Sequence, residues 1–185
     1  MRQKKSISLF RTVKKSTGMD FRNLNWLEAA LSHPSYRNEN PPRPLADFDR
    51  LEFFGDSILN YVICKQLYRA FPNADEGLLS RLRSILVSRK ILSRIAKKLK
   101  LKKLLRLGRS LLRDPHAVQP KLFTDAFEAL LGAYYFDRGL AKTRLFVLKV
   151  FDGYFDDKKL LRIDPNPKST LQEISQKHWQ VLPDY

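Results

Sequence analysis

The 185 residues include 35 Lys and Arg against 19 Asp and Glu, a formal net charge of +16, and 43% are hydrophobic. That apolar content, regularly punctuated, excludes a disordered chain, and so large a positive excess makes a polyanion such as RNA or DNA the first partner to consider. The lone cysteine, Cys64, excludes an intramolecular disulfide and, among apolar neighbours, reads as a small core residue in a reducing compartment.

Strand signals are scarce and helical periodicity recurs, so the expected body is all-α. The basic N-terminus carries Ile7, Phe10 and Val13 on one helical stripe that stops near Gly18. It lacks the continuous apolar run of a signal peptide, and no stretch of about 18 apolar residues exists to span a membrane, so a cytoplasmic protein is expected. A second helix is expected at NLNWLEAALSH, with Asn25 as cap and Glu28 completing a capping box. RNENPPRPLADFD reads as a loop, and an oily helix follows from about Asp49 to Ala70.

FPNADEGLLSRLRSILVSRKILSRIAKKLKL reads as two helices, started by Asn73 or Asp75 and restarted at Ser88. RLGRSLLRDPHAVQP interrupts the pattern as a loop. KLFTDAFEALLGAYYFDRG is another strongly apolar helix, ended by Gly139, and a helix over about Ala141 to Phe155 closes the body. DDKKLLRIDPNPK shifts to charge and proline, as a linker does, before a last short helix in STLQEISQKHW. No internal repeat of solenoid period occurs.

The two most apolar helices hold misplaced acids. Glu52 and Asp56 lie at i and i+4, and Asp125 and Glu128 at i and i+3, so each pair shares one helix face. Phe53, Phe54, Phe123 and Phe127 surround them, and a lone ionised carboxylate does not stay in such company without a partner. Gly55 precedes Asp56, and Gly132 lies one turn beyond Glu128, each lowering helix propensity by roughly 1 kcal/mol against alanine. With Ala126, Ala129 and Ala133 they form small surfaces through which two helices can approach closely. The two helices are therefore expected to cross with their acids converging.

Converging carboxylates repel, by about 4 kcal/mol per pair at 4 Å and an effective dielectric near 20. Either some take up protons or a cation neutralises them, and the pattern leaves both open. Hard oxygen ligands suit Mg²⁺ or Mn²⁺, which activate water and stabilise leaving oxygens in phosphodiester hydrolysis. A single acid pair at helical spacing is most often a solvated face; two pairs inside apolar helices, each beside a glycine, are harder to explain that way. Zinc is disfavoured, since His33, His116, His178 and one cysteine offer no ligand spacing, and each histidine reads as structural or surface. No phosphate-cradling Gly-rich loop or Ser-His-Asp order is present, and no small-molecule cofactor is expected.

DRLEFFGDSILNYV closely resembles the signature of the ribonuclease III family, and TDAFEALLGAYYFDRG resembles its second acidic block. LSHPSYRNEN is similar to the family's early His-x-Ser-Tyr segment, and FPNADEGLLSRLRSILVSR to the helix pair between the acidic blocks. The matches fall in order from about Phe10 to Phe155. The resemblance implies a helical endonuclease domain, homodimeric, that hydrolyses double-stranded RNA with Mg²⁺ (Mn²⁺ as a substitute) and leaves 5′-phosphate and 3′-hydroxyl ends. It implies Glu52, Asp125 and Glu128 as metal ligands, Asp56 and Glu128 as catalytic residues, and Glu76 and Asp49 as members of the active-site valley. Asp75 and Glu76 also favour a helix N-terminus electrostatically, without any catalytic role. Work in RNA processing, of ribosomal and messenger precursors, is part of the same implication.

Two departures stand out. Asp49 occupies a position where many relatives carry glutamate, which keeps the charge but shortens its reach, and Thr124 replaces a commonly small residue before Asp125, with no obvious consequence. KSTLQEISQKHWQVLPDY resembles the start of a double-stranded-RNA-binding domain, stopping before its sheet. The expected organisation is a catalytic domain over 1–155, a linker over 156–168 and an incomplete RNA-binding domain over 169–185. RNA contacts are expected from Arg81, Arg83, Arg89, Lys90, the Lys97 to Lys103 cluster, Arg106 and Arg109, although a solvated helix face explains many of these charges individually. The competing readings are an inactive ribonuclease III-like RNA-binding or ribosome-associated protein, and a basic DNA-binding module that leaves the four acids without a role.

Overall fold

The computed structural model describes residues 2–40, 47–113, 119–156, 160 and 167–183. The elements are α1 (Arg2–Thr17), α2 (Leu24–Ala30), α3 (Pro34–Glu39), α4 (Phe48–Ala70), α5 (Glu76–Leu86), α6 (Arg89–Lys98), a 3₁₀ turn (Leu101–Lys103), α7 (Arg109–Arg113), α8 (Pro120–Val150) and α9 (Pro167–Trp179). Among the described residues the only β-type pairing is an isolated bridge between Ser32 and Arg106. The all-α expectation holds. No described helix is long and apolar enough to cross a membrane.

α8 is the central element, with α2, α4, α6 and the 3₁₀ turn packed around it and α4 as its main partner. Its first half is buried on nearly every side, from Leu122 through Ala126, Phe127, Ala129, Leu130, Leu131 and Ala133 to Tyr134. A helix apolar all round belongs inside a core. α4 instead buries one stripe, Phe48, Leu51, Gly55, Leu59, Val62, Ile63 and Leu67, which recurs every three or four residues and widens at the adjacent Val62 and Ile63. Its other faces carry Glu52, Phe53, Asp56 and Asn60.

Boundaries follow local chemistry. Gly18 adopts φ 81 and its N–H closes onto the Lys14 carbonyl at 2.8 Å, ending α1 where expected. Gly139, at φ 76 and ψ 172, breaks α8 into two runs. Of the two caps weighed for α5, Asp75 serves: its carboxylate accepts from the Leu78 N–H at 2.8 Å. Ser88 caps α6 in extended conformation, without a side-chain bond.

Several expectations are corrected. The cap of α2 is Asn23, whose side chain accepts from the Asn25 N–H at 2.9 Å, so Asn25 lies inside the first turn. Glu28 forms no capping box; it is paired with Arg106 at 3.3 Å. The segment read as a loop from Arg37 contains the end of α3, which Pro34 at its first turn and His33 as its cap initiate. Residues 41–46 of that loop lie outside the described residues. RLGRSLLRDPHAVQP contains the short α7, held because Glu39 accepts from the N–H groups of Arg109 (2.8 Å) and Ser110 (3.0 Å). The closing helix ends at Val150, not Phe155, and Phe151 caps it inside the core. Cys64 is half-buried on a groove wall, not in the core. Residues 157–159 and 161–166 of the linker segment lie outside the described residues; Leu160 is buried, and the last helix begins at Pro167, inside the expected linker.

Candidate active site

The site is built by a glycine-mediated helix crossing. A Cβ placed on Gly55 would fall inside the Glu128 carbonyl and stand 2.9 Å from the Gly132 nitrogen; one on Gly132 would fall on the Leu51 carbonyl. The backbones of α4 and α8 are thus in direct contact, which no residue larger than glycine permits at these two points. The acids that flank both glycines along the chain are carried to the same place.

Oxygens of Glu52, Asp125 and Glu128 all lie within 4.8 Å of one another, each side chain half-buried. Burial first, then the charges of Asp56, Asp125 and Glu52, push the Glu128 carboxyl up to about 8. Glu52 is also raised, by burial and then by Asp125. Glu128 is therefore largely protonated at neutral pH until a cation compensates it. Three hard carboxylates partly open to water are the donor set that an octahedral divalent ion keeping several waters requires, so the residues fit such an ion.

Asp56 does not join that trio. It is exposed and accepts from the Asn60 amide at 2.8 Å, while its charge still reaches Glu128. Asp49 is exposed in the first turn of α4, and its charge reaches Glu52 and His33. Glu76 accepts from Ser80 Oγ at 2.7 Å and lines a separate groove, so within one chain it is not brought to the trio.

Two neighbours of the site have roles that the sequence reading does not supply. Lys121 Nζ lies 2.7 Å from Asp125 Oδ2, an i,i+4 pair that the spacing alone could have flagged. Thr124, noted as a departure without consequence, is buried and donates to the Lys121 carbonyl at 2.7 Å. His33 has the structural role expected: its Nδ1 accepts from the Ser35 N–H at 3.2 Å, and burial holds its pKa down.

The basic candidates divide. Arg81, Arg83, Arg89 and Lys90 are exposed, and Arg83 borders the Glu76 groove. Arg109 is exposed at the start of α7, whereas Arg106 is half-buried and paired with Glu28, leaving it less able to meet RNA. Lys97, Lys100, Lys102 and Lys103 ring a separate pocket floored by Ala96, Pro120 and Phe123.

The α4–α5 groove, of about 470 Å³, is walled by Tyr61, Cys64, Lys65, Tyr68, Leu79 and Arg83. Tyr68 is 74% exposed, and Phe53 on the outer face of the same helix is 77% exposed. The two phenylalanines beside Glu52 are therefore not core: half-buried Phe54 stacks on the exposed Phe136 at 4.7 Å, and Phe53 points to solvent.

Comparison with known proteins places this geometry. The family model described as Ribonuclease III domain matches residues 49–139. Ribonuclease 3 of Dehalococcoides mccartyi is 39% identical over 94% of this chain and 73% of its own length. The nuclease domain of ribonuclease III from Campylobacter jejuni superposes with a TM-score of 0.69 at 28% identity, covering 83% of this chain and 97% of that one. A second structure of that Campylobacter jejuni domain, described for flexibility in a region involved in dimer formation, matches equally at 0.69 and 28%, over 78% and 96%. The chain belongs to the ribonuclease III family, whose members are metal-dependent nucleases, and is an endoribonuclease.

Proposed function

We propose that the protein hydrolyses phosphodiester bonds of double-stranded RNA with Mg²⁺, or Mn²⁺ in its place, leaving 5′-phosphate and 3′-hydroxyl ends. The observation that carries this is the convergence of Glu52, Asp125 and Glu128 at the Gly55–Gly132 crossing. These three hold the ion, and Asp56 with Glu128 forms the catalytic pair. When bound, the ion supplies an activated water and neutralises charge at the leaving oxygen. Glu128, buried and crowded by like charge, must lose its proton for the ion to enter, and Asp56 keeps the solvent side of the trio acidic. Exposed Arg81, Arg89, Lys90 and Arg109 supply sequence-independent phosphate contacts suited to A-form duplex shape.

The working unit is a homodimer, in which the outer face of α4, with Phe53 exposed, meets the α4–α5 groove of a second copy. Exposed aromatics beside a groove are costly to leave in water and favour such burial. That contact offers Glu76 a route towards a partner's valley. Residues 1–155 form the catalytic unit, 156–168 a linker that runs into the first residues of α9, and 169–185 the start of an RNA-binding module. The protein works in the cytoplasm on RNA precursors.

The decisive experiment incubates labelled duplex RNA with Mg²⁺ or with EDTA, beside a single-stranded control, and analyses the ends. Mg²⁺-dependent cuts in the duplex alone, leaving 5′-phosphates, are expected. Cutting of the single strand at equal rate, or cutting in EDTA, would overturn the reading. Light scattering at micromolar concentration should return twice the chain mass, and a monomer for wild type would remove the dimer from it.

A further inference from the structure

Lys121 is a charge the proposed reaction does not use, and it stands inside the site. Its ammonium lies 2.7 Å from Asp125 Oδ2, with its side chain 55% exposed and that of Asp125 15% exposed. The carboxylate is thus the embedded partner and the ammonium the one facing water. Lys121 also acts on the other two acids: its charge opposes the upward push on both Glu52 and Glu128. The Asp125 bond, then the charges of Asp125 and Glu52, hold the ammonium above its ordinary pKa, against burial and the nearby Arg89. The other charges facing this region are Asp49, Asp56 and the His33 ring.

A carboxylate oxygen bonded to an ammonium at 2.7 Å is not free to ligate a divalent ion with the same lone pairs. An ion entering the trio must share Asp125 with Lys121 or displace it, and it meets the ammonium's repulsion in either case. Displacement is easy, because the lysine stem is flexible and an exposed ammonium is readily hydrated. Accepting the metal-site reading of Glu52, Asp125 and Glu128, we propose that Lys121 is a built-in counter-ion that competes with the divalent cation for Asp125 and so sets the metal affinity of the site. It is a positioning residue for the site: it compensates the acids when metal is scarce and yields when metal is plentiful.

The test is Mn²⁺ titration of the full chain without RNA, with free Mn²⁺ followed by electron paramagnetic resonance, for wild type, Lys121→Gln and Lys121→Arg. Lys121→Gln should bind Mn²⁺ about fivefold more tightly, the scale of one solvent-facing ion pair. Lys121→Arg keeps the charge and should bind like wild type. Equal or weaker binding by Lys121→Gln, or equal tightening in both variants, would overturn the proposal while leaving the metal site standing. If all three proteins fail to bind Mn²⁺, the metal-site reading itself falls and the counter-ion role with it. The side chain of Lys121 is largely exposed, so both variants should still unfold in one cooperative transition above the titration temperature, a check that the titration reports charge and not folding.

Discussion

α8 carries acids at both ends of its first run, and the two groups differ in how they are compensated. Near its C-terminal end, Asp137 accepts the backbone N–H groups of Arg22 and Asn23. There Asp20 accepts from Tyr134 Oη at 2.6 Å and pairs with Arg138 at 3.0 Å. Those bonds hold Asp20 below the ordinary carboxylate range. At the other end, Glu52, Asp125 and Glu128 face one another with the Lys121 ion pair as partial relief, and Glu128 is pushed up to about 8. Carboxylates fully met by donors fasten the N-terminal segment to α8. Carboxylates left mostly to each other repel, and that repulsion is what the proposed cation would relieve.

The sharpest way to break the contrast is Glu128→Gln. It removes one oxygen ligand and no core volume, so duplex cleavage should fall by more than about a hundredfold, beyond the loss typical of residues that only support a metal ligand. Its metal-free melting temperature should equal or exceed that of wild type. Near-normal Mg²⁺-dependent cutting would dismiss the assigned role. Gly55→Ala attacks the crossing instead. The new methyl has no room against the Glu128 carbonyl, so the fold should lose about 1–3 kcal/mol in urea denaturation, with a parallel loss of metal binding. Gly77→Ala is the control, since its Cβ meets only Asp75 Oδ1 at an ordinary 3.6 Å.

The two ends of α8 should also respond to pH with opposite signs. Folding raises the Glu128 pKa from 4.5 to about 8, so between those values the folded chain binds more protons than the unfolded one. Its contribution to metal-free stability is therefore fully present below about 4.5 and is lost as pH rises through about 8. Glu128→Gln should abolish that decline, and saturating Mg²⁺ should flatten it, both measurable by denaturation in EDTA or in metal. Asp20 runs the other way: its lowered pKa contributes stability above 3.8 that is lost on acidification. The smallest effect belongs to Asp20→Asn, which weakens the Tyr134 bond and removes the Arg138 ion pair, costing about 1 kcal/mol. It should leave the cleavage rate unchanged, and a large loss of activity there would erase the distinction between fastening and reactive acids.

Much of this is legible in the sequence. The spacing of Glu52 with Asp56 and of Asp125 with Glu128, and glycines beside both pairs, were enough to expect a crossing with converging acids. The helix breaks at Gly18 and Gly139 were legible too, because positive φ leaves few other residues. Caps were less so. Asn23 and Asn25 offer the same amide two residues apart, and only the chain's path from the Asp137 clamp, which binds the Arg22 and Asn23 N–H groups, decides between them. α3 was hidden because its cap, His33, falls at the expected end of the preceding helix, and its last residues belong to a stretch from Arg37 whose composition reads as loop.

The sequence by itself determined which residues share a helix face, since that depends only on the 3.6-residue repeat. It therefore determined the all-α body, the acid pairs and the stripe that α4 buries. Tertiary structure decided what each face meets. It placed Asp56 outside the trio and Phe53 in solvent. It set Arg106 on Glu28 and brought Glu52 of α4 against Asp125 and Glu128 of α8. A helical repeat specifies angles about one axis and says nothing of the depth at which another helix crosses it. At Gly55 and Gly132 that depth is backbone on backbone, and it alone brings Glu52 to Asp125 and Glu128.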